Sequence, residues 1–99
     1  MAVKVIIELK AHPGRRDELK GFIESLLAQP EAAPGGFLGS TRYEVLGDPD
    51  ALVEIADWES AEARDAHMQE AAAAGTYAPL VPLLAAPFRA TVLTQLEAG

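Results

Sequence analysis

Apolar and polar residues alternate from the start of the chain. Between Ala2 and Ala11, Val3, Val5, Ile7 and Leu9 fall on one side of an extended segment and Lys4, Glu8 and Lys10 on the other, the two-residue period of a β-strand. Ile6 interrupts the polar set, so the second face is expected to be partly covered too. His12-Pro13-Gly14 reads as a turn, because proline fixes its own φ and glycine permits the change of direction. The period then lengthens. Leu19, Phe22, Ile23, Leu26 and Leu27 recur at i, i+3, i+4, i+7 and i+8, which predicts an amphipathic helix over Arg15 to Ala28 with Arg16, Asp17, Lys20 and Glu24 on its wet side.

Gln29 to Gly36 is rich in helix breakers and is expected to be a loop. A second strand follows over Phe37 to Leu46, with Thr41, Tyr43 and Val45 alternating against Arg42 and Glu44. Gly47-Asp48-Pro49-Asp50 forms a tight turn, which makes this strand and the next, Ala51 to Trp58, an antiparallel hairpin. Ser60 suits the N-cap of a second helix, Glu62 lies in its first turn, and Gly75 is placed to end it. Tyr77 to Ala85 contains Pro79 and Pro82, which limits it to a short turn of helix, and Phe88 to Leu96 alternates as a last strand. The order is strand-helix-strand twice over. Ala32-Ala33-Pro34 and Ala85-Ala86-Pro87, each leading to a phenylalanine, faintly echo one another. The pattern predicts an α+β, ferredoxin-like βαββαβ fold: a four-stranded antiparallel sheet with two helices on one face.

At 99 residues the chain is expected to form a single domain. Its apolar fraction is 49%, much of it alanine, and a domain this small gains from burying further surface against another copy of itself. The strands support that expectation by offering apolar residues to both sides: Ile6 against Val5 and Ile7, Leu52 and Ala56 against Val53 and Ile55, Val92 against Leu93. A homodimer packed through the open sheet face follows. The formal net charge of −7, from eight Lys+Arg against 15 Asp+Glu, makes nucleic acid and anionic membrane poor partners. No cysteine is present, which removes disulfides, thiolate ligands and a thiol nucleophile and suits a cytoplasmic location. Met1 leads directly into the first strand without a leader-like segment.

Several residues could carry chemistry. Period two puts Glu54, Ala56 and Trp58 on one side of the third strand and Val53, Ile55 and Asp57 on the other. Trp58, the one tryptophan, either closes the edge of the core or walls a pocket. Glu54 is a carboxylate among apolar neighbours in mid-strand, an expensive placement unless it is paired, solvated or protonated. A salt bridge to Arg42 across the hairpin or an exposed strand edge would account for it. In a pocket, a raised pKa would make it a general base. His67 falls within the apolar face of the second helix with Ala63, Met68, Ala71 and Ala74, and Arg64 lies at the rim of that face. It is either a hydrogen-bonded core histidine or part of a ligand site kept roomy by the alanines. Tyr77, just past the helix end, could overhang the same space. Phe22, on the first helix, is a further candidate for lining it, and His12 in its turn and Tyr43 on the second strand are weaker ones. Two histidines far apart and no cysteine argue against a metal site, and no phosphate loop or Ser-His-Asp pattern occurs.

The run Leu52-Val53-Glu54-Ile55-Ala56-Asp57-Trp58-Glu59-Ser60-Ala61-Glu62-Ala63-Arg64-Asp65-Ala66-His67-Met68 resembles the strand-to-helix segment of the antibiotic biosynthesis monooxygenase family, within the dimeric α/β barrel superfamily. There a tryptophan, an acidic or serine N-cap and a histidine nine residues after the tryptophan occur together, and the upstream strand, Pro-Gly turn and helix fit as well. The resemblance implies a homodimer with a pocket between sheet and helices in each subunit. Several members oxidise polycyclic phenols or quinols with molecular oxygen and no prosthetic group: the substrate is deprotonated and its own anion reduces oxygen, while the pocket supplies a base, excludes water and orients the ring. The chain departs from its relatives at named positions. Members acting on aromatic polyketides carry asparagine where Glu54 stands, a tyrosine near Arg64 and an arginine near Ala78. The haem-degrading branch needs an asparagine, a tryptophan and a histidine ligand at about Ile7, His67 and Tyr77, and that pattern is not met.

The expected protein is therefore a cytoplasmic, cofactor-free, metal-free monooxygenase-like dimer acting on a hydrophobic aromatic metabolite of the phenol, quinol or polyketide type. Trp58, His67 and Glu54 are its expected catalytic group, and Tyr77, Arg64, Phe22 and Tyr43 its expected substrate contacts. The alternative is a non-catalytic ligand-binding or structural dimer of the same fold. Glu54 separates the two: beside an open cavity it favours the enzyme, and paired with arginine over a filled core it favours the alternative.

Overall fold

The first strand decides where the core lies, and the helices gather on the side where its valines and leucine point. In a computed structural model, which describes residues 2–27 and 35–96, the chain runs through β1 (Val3–Lys10), α1 (Arg16–Leu27), β2 (Phe37–Glu44), β3 (Ala51–Trp58), α2 (Ala61–Ala74), a 3₁₀ helix (Ala78–Leu83) and β4 (Arg89–Leu93). The strands form an antiparallel sheet in the order β2-β3-β1-β4, the ferredoxin-like βαββαβ plan expected from the sequence. Most of Gln29 to Gly36, including Ala32-Ala33-Pro34, lies outside the described residues. No helix among the described residues is long and apolar enough to cross a membrane.

Local chemistry sets the element ends. The Ser60 side chain accepts a hydrogen bond from the Ala63 N–H at 3.1 Å and so caps α2. Gly75 ends it in the left-handed region at φ 68°, and the Thr76 N–H donates to the Ala71 carbonyl at 3.0 Å. Two turns are tied together by their aspartates. Asp50 accepts from the Gly14 N–H at 2.9 Å, Asp48 accepts from the Asp50 N–H at 3.0 Å, and Lys10 bonds Asp48. The 3₁₀ helix is longer than the two prolines suggest. Its i to i+3 bonds, Leu80 N–H to Tyr77 and Leu84 N–H to Val81, leave both proline nitrogens out of the ladder.

Two strands are shorter than their alternation predicts. β2 stops at Glu44, and Leu46 stands fully exposed in the turn. β4 ends at Leu93, opposite Lys4, because almost nothing of β1 remains beyond that point to pair with. The last turn of α2 is exposed as well, so Ala74 does not share the covered face of Ala63, His67, Met68 and Ala71.

The helix-facing side of the sheet holds two apolar clusters rather than one. Leu9, Ala11, Leu19, Ile23, Leu52 and Leu80 make the first, under α1 and the 3₁₀ helix. Val3, Val5, Ala56 and Trp58 make the second, at the α2 end. The strand layer between them is Arg42, Glu54, Ile7 and Ala90, side by side across β2, β3, β1 and β4. Ile7 touches both clusters. On the other face, Ile6, Val53 and Ile55 are only half-buried, and Tyr43 and Leu93 are 49% and 39% exposed. A Lys4–Asp57 ion pair of 2.6 Å lies at the margin of that face.

Candidate functional site

Glu54 sits in the strand layer between the two clusters. Period two turns it to the helices together with Ala56 and Trp58, as the third strand's pattern predicts. Arg42 is its register partner in the hairpin, yet no ion pair or hydrogen bond reaches the Glu54 carboxyl among the described residues. Burial pushes its pKa above the usual carboxylate range, and the positive charge of Arg42 opposes that rise without cancelling it. The carboxyl also lines a groove of about 160 Å³ between α1 and the β2–β3 hairpin. Of the two arrangements set out above for Glu54, this is the one beside a cavity.

An aromatic ladder stands on the α2 side. Trp58 meets the edge of Phe37, its partner in β2, at 5.2 Å between ring centroids. His67, reaching down from α2, lies over Trp58 at 5.5 Å with 32° between the ring planes, and Tyr77 meets His67 edge-on at 6.0 Å. His67 Nε2 and the Tyr77 hydroxyl share a hydrogen bond of 2.8 Å, whose donor is set by the imidazole tautomer. The exit at Gly75 makes this contact: a left-handed residue turns the chain back so that Tyr77 returns over the helix it has just left.

The electrostatics of the ladder follow from partial burial. Burial lowers the His67 pKa; Glu70 pulls it up and Arg64 presses it further down. The imidazole is thus kept neutral near pH 7. Burial raises the Tyr77 pKa, the Glu54 charge raises it further and Arg64 opposes both, so the phenol stays protonated. The coupling of Tyr77 to Glu54 and Arg64 brings the ladder and the carboxyl into one electrostatic unit. Such a unit can accept a proton at Glu54 and offer a neutral hydrogen-bonding rim at Tyr77 and His67.

Of the expected site residues, Trp58, His67 and Tyr77 come together in the ladder, and Glu54 and Arg64 lie near enough for their charges to act on Tyr77. Trp58 is only 5% exposed, whereas His67 and Tyr77 are half-buried. The other two fall elsewhere. Phe22 packs against the cluster of Leu19 and Leu9, at the far end of the sheet from Trp58. Tyr43 pairs with Val53, so its side chain belongs to the open face, although the residue borders the groove. His12 remains in its turn, where its carbonyl accepts from the Arg15 N–H at 2.9 Å. The residues that sequence reasoning left out of the site are those of the groove, above all Arg42 with Ile23 and Leu52. Their signal was the opposition of Arg42 and Glu54 across the hairpin. Among the described residues no three carboxylate or imidazole side chains gather as a metal site requires.

The antibiotic biosynthesis monooxygenase family model matches residues 2–78, and the chain belongs to that family. Among solved structures it is similar to Rv0793 from Mycobacterium tuberculosis, at 26% identity over 99% of this chain and 98% of that one, with a TM-score of 0.80. SnoaB of Streptomyces nogalater, a cofactor-independent oxygenase solved as an N63A mutant, shares the fold at 16% identity over 98% and 95% of the two chains, with a TM-score of 0.79. A conserved protein from Methanosarcina mazei does so at 17% identity over 97% and 94%, with a TM-score of 0.81. No protein of curated function matches the sequence.

Proposed function

We propose that this chain is a cofactor-independent monooxygenase acting on a hydrophobic aromatic substrate that carries an acidic hydroxyl or methylene. The observation that carries the reading is Glu54: a half-buried carboxyl without a partner among the described residues, lining a groove and near enough to Tyr77 for its charge to raise the phenol's pKa. Family membership and the fold shared with a cofactor-independent oxygenase support it.

In this reading Glu54 removes a proton from the bound substrate, and the raised proton affinity makes it an effective base. The substrate anion gives its electrons to molecular oxygen and a carbon–oxygen bond forms. The resulting hydroperoxide takes back the proton and loses water, leaving a carbonyl. For a methylene substrate one oxygen atom ends in the product and the other in water, so atoms and electrons balance. Trp58 walls the site, and His67 and Tyr77 hold the ring or its oxygen by contact and hydrogen bonding. The protein works as a single-domain cytoplasmic homodimer paired through the open sheet face. The half-buried Ile6, Val53 and Ile55 on that face support the pairing.

Oxygen consumption with a panel of hydroquinones and anthrones tests the chemistry, comparing wild type with Trp58→Phe and His67→Ala. Turnover that falls in both variants is expected. An absence of oxygen uptake with every compound removes the oxygenase reading and leaves a ligand-binding or structural dimer. A monomeric mass by sedimentation at micromolar concentration removes the dimer.

A further inference from the structure

The groove beside Glu54 has a composition that names its occupant more closely. It opens between α1 and the β2–β3 hairpin, toward the start of β3 and away from Trp58. Leu9, Ile23 and Leu52 give it an apolar wall, and Arg42 and Glu54 stand opposite one another across the hairpin. Its volume of about 160 Å³ matches a single ring, since an apolar cavity of roughly 150 Å³ holds one benzene.

Two charged residues of the groove, Arg42 and Glu54, face one another across the hairpin without an ion pair or side-chain hydrogen bond among the described residues. Glu44 is met by Arg16 at 3.5 Å and by Lys20 at 3.9 Å. Arg42 is exposed and makes no ion pair or hydrogen bond among the described residues. A planar guanidinium in that state suits a carboxylate, which it can take with two parallel N–H donors. In a chain of net charge −7, a small acid depends on such a local cation to be held at all.

We propose that this groove binds a one-ring aromatic carboxylic acid, with the ring against the wall of Leu9, Ile23 and Leu52, the carboxylate on the Arg42 guanidinium and the ring hydroxyl directed toward Glu54. The chemistry at Glu54 rests on the reading given above; the binding does not need it. Docking also prepares the base. A carboxylate on Arg42 neutralises the charge that opposes protonation of Glu54, so Glu54 holds a proton more strongly once the acid is in place.

The test compares hydroquinone with 2,5-dihydroxybenzoate, the same ring with a carboxylate added. Binding is followed without oxygen by amide chemical shifts of the full chain. The acid is expected to bind roughly ten-fold or more tightly than hydroquinone, the span of a charge-assisted pair, with shifts centred on Ile23, Leu52 and Glu54. Arg42→Gln should bring the two compounds to parity, and Arg42→Lys should keep part of the preference. Arg42 is exposed, and an unchanged thermal midpoint in both variants shows the fold intact. Equal affinities in the wild type, a preference that survives Arg42→Gln, shifts centred elsewhere, or no saturable binding of the acid would each overturn the proposal. Oxygen uptake then separates the two readings. Acid binding through Arg42 without oxygen consumption keeps this inference and removes the oxygenase. Equal kcat/KM for both compounds keeps the oxygenase and removes this inference.

Discussion

Replacing Glu54 by glutamine removes a charge and a proton acceptor while leaving the size and shape of the side chain unchanged. Glu54 has no bonded partner to lose among the described residues, so the substitution isolates its protonation. A positioned general base contributes about 10²- to 10⁴-fold in rate, which is roughly 3–5 kcal/mol of barrier. The expected result is a fall in kcat of that size with little change in KM. Stability should move the other way. Burial raises the folded-state pKa above the ordinary 4.5, so the folded protein holds this proton more tightly than the unfolded chain. Stability from that proton is complete below about pH 4.5 and is lost as pH rises through the raised value. Glutamine carries no such charge. The urea midpoint of Glu54→Gln should equal the wild type near pH 4 and exceed it at pH 8. Oxygen-electrode rates and two urea titrations are sufficient. A variant that turns over within three-fold of wild type, or is less stable than wild type at pH 8, refutes the account of Glu54.

Two stability predictions test the surroundings. Trp58→Ala removes a side chain that is 5% exposed, with its contacts to Phe37 and His67, and should cost about 3–5 kcal/mol in urea unfolding; Trp58→Phe should cost clearly less, and equal losses would contradict a packed wall. Gly36 has φ +88°, its carbonyl accepts from the Glu59 N–H at 2.8 Å, and a Cβ there would lie 2.6 Å from the Ala63 Cβ. Gly36→Ala should therefore cost at least about 1 kcal/mol, and a neutral result would mean that α2 can withdraw freely from β2.

Much of the fold was legible because each element announces itself locally. Period two over β1 and β3, the 3.6 period over Leu19, Phe22 and Ile23, the serine before α2 and the glycine after it are short-range facts, and they hold in the structure. The failures have a common form. The alternation in Phe88–Leu96 is real, but a strand lasts only about as long as its neighbour, and β1 extends just one residue, Val3, past the position opposite Leu93. Tyr43, an expected substrate contact, pairs with Val53, which puts its side chain on the open face while the residue still borders the groove.

The sequence by itself determined the order of elements, the hairpin, the caps, and the shared side of Glu54 and Trp58, because all of these depend on spacing within one element or across one tight turn. Only the tertiary structure decided that the helix side of the sheet splits into two clusters with Glu54 in the layer between them. It also decided that Tyr77 returns to bond His67, and that Arg42 and Glu54 border a groove with Ile23 and Leu52. Periodicity gives the phase of each helix or strand but not the offset of one against another. A site built from a strand, the end of a helix and the turn after it depends on that offset.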